Sequence, residues 1–435
     1  MRFQIVFLFS FILLSTLAAH DTSFEIKREV YTSESYIIPL GHSPSISEKS
    51  ASDTTHHPFF HFKKEFKWMP LIGYNDNDRF MAGFSYNKKG QKGQNSLFYS
   101  VSPFFAFGSQ QLVGYGRVGY RTYLDADKRQ FLNGEIQIKS FHEDFNKTLD
   151  YHLRYVKIAP KVTYEWEGND SIVNNKKIYL IANFISTEKA KFSELGEFNG
   201  KYSEKSFIPV IGFMSSSVNQ YTNQFLDIAG EYQHYSDNKS YMKLTGSYQY
   251  GYKYHKNHAF KLKTFIAGFL MNTERKSNSY QNVFTRGSIA LIEHGFNDYT
   301  YNETFLARQN QSGFQDNQVS RTQGGGFKTA IGSAYNIGMS NSFAASLNVE
   351  FDLPLPKFLP LGIYIDAGTY STYNVSQKRQ NNTIYNSGLY LNLFKFLYIY
   401  VPITSSDELH NTFVSQHPKA IDRLTFSLNL CRLSR

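Results

Sequence analysis

Hydrophobic and polar residues alternate with a period of two over most of the chain after about residue 59. In Tyr241–Tyr254 the residues Met242, Leu244, Gly246, Tyr248, Tyr250, Tyr252 and Tyr254 fall on one side. Lys243, Thr245, Ser247, Gln249, Gly251 and Lys253 fall on the other. Successive side chains of a strand point to opposite faces, so this pattern predicts strands with one apolar and one polar face. Leu361–Tyr370 repeats it, with Leu361, Ile363, Ile365 and Ala367 opposing Gly362, Tyr364, Asp366 and Gly368. Phe131–Ser140 sets Leu132, Ile136 and Ile138 against Asn133, Glu135, Gln137 and Lys139, and in Leu112–Leu124 Arg117 and Arg121 share a face with Tyr115.

Similar runs are expected at Phe59–Tyr74, Arg79–Asn87, Ser96–Phe107, Asp150–Trp166, Lys176–Thr187, Ser206–Val218, Gln224–Tyr235 and Ala259–Asn272. Others follow at Gly325–Gly338, Phe343–Leu353, Ile384–Phe394, Lys395–Thr404 and Ala420–Cys431. Turn residues such as Asn75-Asp76-Asn77-Asp78 separate them. Pro354, Pro356 and Pro360 break the chain between Phe343–Leu353 and Leu361–Tyr370, because proline lacks the N–H that a central ladder needs. Many runs outlast the typical globular strand of about 5–6 residues, and a tilted strand crossing a bilayer needs about 9–11. Length therefore favours an all-β fold, an antiparallel transmembrane β-barrel with a greasy outside and a polar inside. Closed bacterial barrels favour even strand numbers, so about 16 strands are expected, with 12–16 as the range.

Composition agrees with two faces meeting different solvents. Aromatic residues make up 17% of the chain (39 Phe, 32 Tyr, 2 Trp), yet mean hydropathy is −0.42. The opening MRFQIVFLFSFILLSTLAAHD has a basic start, a short apolar core and small residues at Ala18-Ala19, so residues 1–19 are expected to be a cleaved secretory signal peptide. Residues 20–58 are polar and expected to be a flexible N-terminal segment, leaving 59–431 for the barrel. The single cysteine, Cys431, excludes an internal disulfide. The formal charge of +10 is scattered instead of forming a stripe, so it is read as solvated surface and lumen, not as a nucleic-acid site.

The long polar tract at about 273–323 interrupts the alternation and carries Arg275, Arg286, Arg308 and Arg321; long loops of this kind are usually functional or disordered. Val283–Ile292 within it could form a strand. Enzyme and metal signatures are missing. His142-Glu143-Asp144-Phe145-Asn146 has Asn where a zinc-protease helix needs its second His, and His56-His57 has no further ligand at useful spacing. Gly212-Phe213-Met214-Ser215-Ser216-Ser217 lacks the spacing of a nucleophile elbow. Asp125/Asp127 and Asp407/Glu408 fall in turns. No catalytic residue, metal or cofactor is expected.

Four stretches near the C-terminus arrive in a telling order: Asn348-Val349-Glu350-Phe351-Asp352-Leu353-Pro354, Tyr364-Ile365-Asp366-Ala367-Gly368, Ser387-Gly388-Leu389-Tyr390-Leu391 and Leu397-Tyr398-Ile399-Tyr400-Val401-Pro402. This order resembles the C-terminal strands of the BamA-like bacterial surface antigen barrels, with Gly368, Gly388 and Pro402 at family motif positions. Upstream, Asn297-Asp298-Tyr299-Thr300-Tyr301, Phe305-Leu306-Ala307-Arg308 and Gly324-Gly325-Gly326-Phe327-Lys328 are similar to the barrel that follows a zinc aminopeptidase-like domain in some exported proteins. The resemblance implies sixteen strands and a sixth extracellular loop folded back into the lumen. It also implies an Arg of that loop paired with the Asp of the aromatic-x-Asp-x-Gly strand. Asp366 matches that Asp, and Arg286, Arg308 and Arg321 are its candidate partners, although none completes an Arg-Gly-aromatic triplet.

The expected function is that of a non-enzymatic integral outer-membrane barrel, exported through its signal peptide. Its implied partners are outer-membrane lipid and, during biogenesis, the barrel assembly machinery. Family members that insert or transport clients carry periplasmic POTRA domains, for which residues 20–58 are too short. A role in outer-membrane assembly or translocation therefore implies a separately encoded periplasmic partner. A small-solute pore or transporter, or a surface-exposed binding protein, stands as the alternative.

Overall fold

The structure, a computed structural model, describes residues 67–428 except 91–93, 126–128, 147, 150, 169–172, 195, 235–238, 256–257, 274–286, 309–312, 331–335, 357–358, 374–377, 394–395 and 417–418. The expected signal peptide, the segment at 20–58, His56-His57, Arg286 and Cys431 lie outside the described residues.

Eleven strands come first: β1 (Lys67–Asn75), β2 (Arg79–Lys88), β3 (Ser96–Ala106), β4 (Gln111–Asp125), β5 (Gln130–Asn146), β6 (Tyr151–Glu167), β7 (Val173–Phe192), β8 (Phe198–Val218), β9 (Thr222–His234), β10 (Ser240–His255) and β11 (His258–Asn272). The connection at 273–342 then carries two short strands paired with each other, β12 (Ile289–Ala290) and β13 (Met339–Ser340). Five strands complete the chain: β14 (Phe343–Asp352), β15 (Leu361–Tyr373), β16 (Arg379–Leu393), β17 (Leu397–Ser405) and β18 (Thr425–Leu428). A helix, α1 (Asp407–Gln416), and a 3-10 turn (Ala420–Arg423) join the last two.

β1–β11 and β14–β18 form one sixteen-stranded sheet in sequence order, every neighbouring pair antiparallel. The sheet encircles the 273–342 connection. Residues of this connection bond the β1–β2 turn (Asp76 N to Leu306 O), Lys139 of β5, Lys157 of β6, Lys263 of β11 and Asp366 of β15. They also bond Thr425 of β18. A flat sheet could not bring these strands to one loop. The wall is therefore a barrel, and the loop fills its lumen.

The alternation sorts side chains as the sequence leads one to expect. On β15, Ile363 and Ile365 are 40% and 52% exposed on the outside, while Tyr364 and Asp366 are fully buried inside. Leu244, Ile136, Ile138 and Leu180 are exposed on the outer surface, and Lys243, Glu135, Lys139 and Asn183 are buried on the inner one.

Three expectations need correction. The described residues of Gly325–Gly338, 325–330 and 336–338, form no strand. Gly324, Gly326 and Gly338 have φ of 55°, 73° and 73°, left-handed values that break an extended ladder. The apolar residues of this stretch, Phe327 and Ile337, turn inward instead of facing outside. Removing it leaves sixteen strands and lengthens the inserted loop from about 323 to 342. Of the expected strand at Val283–Ile292, the described residues show only the two-residue β12. Finally, the lumen is not uniformly polar. Ile289, Leu291, Ile292, Phe327 and Ile337 of the loop pack against Phe265, Ala267, Ala344, Tyr370, Ile384 and Leu409, so the loop has an apolar core of its own inside the barrel. A second apolar cluster joins Leu71, Met81, Phe104, Val113, Phe141, Tyr155, Ile185 and Ile208 to Tyr301 of the loop.

Candidate functional site

Register places a row of polar side chains across the inner wall: Lys263 of β11 opposite Asn348 of β14, Asn348 opposite Asp366 of β15, and Asp366 opposite Asn386 of β16. The row beside it runs from Lys261 to Glu350 to Tyr364 to Gly388. The loop meets these two rows. Lys328 Nζ donates to Asp366 Oδ1 at 2.7 Å, its backbone N–H donates to Oδ2 at 2.8 Å, and Asn348 Nδ2 donates to Oδ1 at 2.9 Å. Asp366 and Lys328 are both buried, where a carboxylate needs a cation or several donors; here it has both.

Arg321 bonds the second row. Its Nη2 lies 2.5 Å from Glu350 Oε2 and its guanidinium lies 3.7 Å from the centre of the Tyr398 ring. Lys261 adds a second cation to Glu350 at 3.2 Å, and Lys328 a third at 3.7 Å. One row away, Lys263 points its ammonium at four successive loop carbonyls, those of Arg321, Thr322, Gln323 and Gly324, at 3.0–3.3 Å. Turning four carbonyls onto one cation curls the backbone tightly, and the left-handed Gly324 permits it.

The opposite wall grips the loop at a second station. Asp298 and Arg308, both in the loop and both buried, pair at 2.9 Å. Arg308 also donates to the carbonyls of Asp298 (3.2 Å) and Glu303 (2.8 Å) and stacks over Tyr301 at 4.8 Å. Burial alone would raise the Asp298 carboxyl, but the Arg308 guanidinium and the Lys139 ammonium hold it below its ordinary value. Lys139 of β5 donates to the carbonyls of Tyr301 (3.3 Å) and Glu303 (2.7 Å), and Lys157 of β6 donates to the Thr300 carbonyl (2.8 Å) and to Asn302. Tyr301 stacks on Tyr155 of β6 at 4.1 Å and donates its hydroxyl to Glu143. A cavity of about 40 Å³ remains beside Lys139, His142, Phe305 and Arg308.

The candidate residues therefore land as follows. Asp366 is inside the barrel, but its cation is Lys328. Arg321 reaches Glu350, the neighbour one row away, and Arg308 is taken by Asp298 within its own loop. Arg286 lies outside the described residues. A lysine amine on a long stem reaches Asp366 from a backbone segment already bonded to it, which leaves the guanidinium fork of Arg321 for the outlying Glu350. Gly368 sits under the loop: a Cβ there would lie 2.9 Å from both Leu291 Cδ1 and Phe327 Cε2. Gly388 faces Pro402 across a register shift between Ser387 and Gly388, and a Cβ on Gly388 would lie 2.0 Å from the Val401 carbonyl oxygen.

Lys243 of β10 also grips the loop, donating to the Gly287 carbonyl at 3.1 Å. In the sequence Lys139 and Lys243 stood only as members of polar strand faces and Glu350 only within a motif stretch, and Lys157 and Lys263 were not named. Their signal was present: each is a charge at inward parity on an amphipathic strand, at positions where the loop had to be gripped.

No protein-family model matches the chain, and no curated protein sequence does. Among solved structures, the fold is similar to that of BamA from Haemophilus ducreyi lacking POTRA domains 1–3. The TM-score is 0.41 at 11% identity, over 77% of this chain and 66% of that one. It is also similar to CdiB from Acinetobacter baumannii, with a TM-score of 0.38 at 9% identity, over 79% of this chain and 57% of that one. The chain thus spans less than two thirds of either structure's length.

Proposed function

We propose that this chain is an integral outer-membrane β-barrel of the BamA-like surface-antigen kind, held shut by its own loop and acting in outer-membrane assembly or translocation with a separate periplasmic partner. The observation that carries this reading is the double anchoring of the 273–342 loop. One wall holds it through Asp366, Glu350 and Lys263, the other through Lys139 and Lys157. A passive filler needs no such grip, whereas a movable stopper needs fixed seats.

The outer surface supports a membrane setting. Ile211 is 61% exposed and Leu270 67%, and such residues recur at outward parity around the wall, as a lipid-facing band requires. The end of the barrel that bears the 273–342 and 406–424 connections is taken as extracellular, since outer-membrane barrels carry short periplasmic turns and longer outer loops. Biogenesis then runs through the barrel assembly machinery, and lipid is the protein's permanent neighbour.

The test is a pair of measurements on the full chain purified from membranes. Unheated samples should migrate differently from boiled ones on a detergent gel, and planar bilayers should show low conductance that rises when Lys328→Met and Arg321→Met unseat the loop. A steady open-pore conductance in the unaltered protein would support the small-solute pore and end the stoppered reading. Recovery in the soluble fraction without detergent would end the membrane reading.

A further inference from the structure

β18 is the last strand of the wall and β1 the first, and among the described residues neither is hydrogen-bonded to the other. The edge of β18 is nevertheless occupied. Gln318 of the loop forms a parallel bridge with Phe426, and Val319 N–H donates to the Phe426 carbonyl at 2.8 Å. Just before this bridge, Asn317 Nδ2 donates to the carbonyls of Asp422 (2.8 Å) and Leu424 (3.0 Å).

The loop also reaches both faces of that strand. Thr425 and Ser427 pair with Tyr400 and Tyr398, which are buried with Val319 on the inner face. Phe426 pairs with Ile399 and so has the outward parity of Val401 and Ile403, which are 41% and 68% exposed. Yet Phe426 is only 1% exposed. Its ring is stacked on Phe314 of the loop, centroids 4.8 Å apart, and Leu306 packs against the same cluster. Val319 lies inside the wall and Phe314 outside it. A segment with contacts on both faces of an edge strand must pass around that edge.

The other side of the gap is tied to the same residues. The Leu306 carbonyl accepts from Asp76 N–H in the β1–β2 turn at 2.7 Å. Gln318 links the two stretches, accepting from Leu306 N–H at 2.8 Å and donating to the Thr304 carbonyl at 2.9 Å.

We infer that the stretches Thr304–Arg308 and Gly313–Val319 form a latch across the seam between the terminal strands, so that the loop closes the wall as well as filling the lumen. At Phe426 the backbone edge of β18 is bonded by Gln318–Val319 in the place a β1 ladder would take. Barrel closure is thereby coupled to loop position: withdrawing the loop unpairs the Phe426 carbonyl, uncovers the Phe426 ring and frees the seam. The inference concerns the wall itself and holds whichever cargo or partner the barrel has.

The experiment uses the full-length membrane-inserted protein with Cys431→Ser to remove the native thiol. Bridge partners on adjacent strands are about 4.7–4.9 Å apart, within disulfide reach. Gln318→Cys with Phe426→Cys should therefore oxidise to an internal disulfide, seen as a shift in mobility on a denaturing gel that reductant reverses. A control pair joining β1 to β18, Ile72→Cys with Phe426→Cys, should remain reduced. The disulfide should raise the temperature at which the barrel unfolds. In a third variant Val319→Pro, which deletes the N–H that bonds Phe426, should lower it further than Val319→Ala does. Oxidation of the β1–β18 pair but not of the loop pair would overturn the latch. Equal effects of Val319→Pro and Val319→Ala would do the same, because the edge hydrogen bond would then carry nothing.

Discussion

Lys328 bonds Asp366 twice, through its ammonium at 2.7 Å and its backbone N–H at 2.8 Å. The first contact depends on the side chain and the second only on where the loop runs. Breaking a buried ion pair by removing one partner typically costs about 3–5 kcal/mol, because the other charge is left stranded. Asp366→Ala and Lys328→Met should each lower the temperature at which the barrel loses its compact gel form. The double variant should lose clearly less than the sum, since neither charge is then stranded. Strict additivity would show that the two residues do not act as a pair.

Three glycines should separate by what surrounds them. Gly388→Ala puts a methyl 2.0 Å from a backbone oxygen of the facing strand, which cannot retreat without disrupting the register shift, so it should abolish stable assembly. Gly368→Ala meets Leu291 Cδ1 and Phe327 Cε2 at 2.9 Å and the Ala345 carbonyl oxygen at 3.1 Å, a milder overlap, and should cost about 1–3 kcal/mol. Gly134→Ala meets nothing within 4 Å and should be silent. Yield of heat-modifiable protein from membranes reads all three.

Acid should loosen the rim where β1 turns into β2. Asp78, in that turn, accepts from His142 Nδ1 at 2.6 Å and from His142 N–H at 3.1 Å. Burial raises its carboxyl, but the hydrogen bonds from His142 and Asn75 and the charge of His142 outweigh this and hold it below the ordinary 3.8. A carboxyl depressed in the folded state contributes stability that is whole above its unfolded value and is lost as pH falls through the folded one. The unfolding temperature should thus fall below about pH 4, and Asp78→Asn should flatten that fall. An unchanged acid slope in the variant would exclude Asp78 as its origin.

At the second station Arg308 does more than supply charge. It bonds the Asp298 carboxylate and the Glu303 carbonyl and covers the Tyr301 ring. Arg308→Lys keeps the charge and loses the fork, leaving buried acceptors unpaired at about 1–3 kcal/mol each. The variant should expose the 298–308 turn to added protease in intact membranes while the wall stays resistant. Protection equal to the unaltered protein would show that a point charge suffices.

How far the sequence could be read follows from the range of the forces involved. Period-two alternation is local, and it located β10 and β15 with their inward and outward faces. The loop defeated it, because Phe327 and Ile337 are apolar for the sake of a core inside the lumen, and a run of such residues looks like a strand. Asp366 could be recognised as a carboxylate in need of a cation. That the cation is Lys328, and that Arg321 goes to Glu350, depends on a register between β14 and β15 and on a left-handed Gly326. No sequence spacing encodes these.

The placement of the 273–342 connection also orders events in time. Its described residues touch β5 and β6 on one wall, β11 and β15 on the other, and β18 at the end of the chain. The seats on β5 and β6 exist as soon as the early strands do, while the one on β18 exists only once the last strand has arrived. The loop is thus complete in its place only when the final residues of the wall are, and finishing the cylinder and seating its stopper become one event.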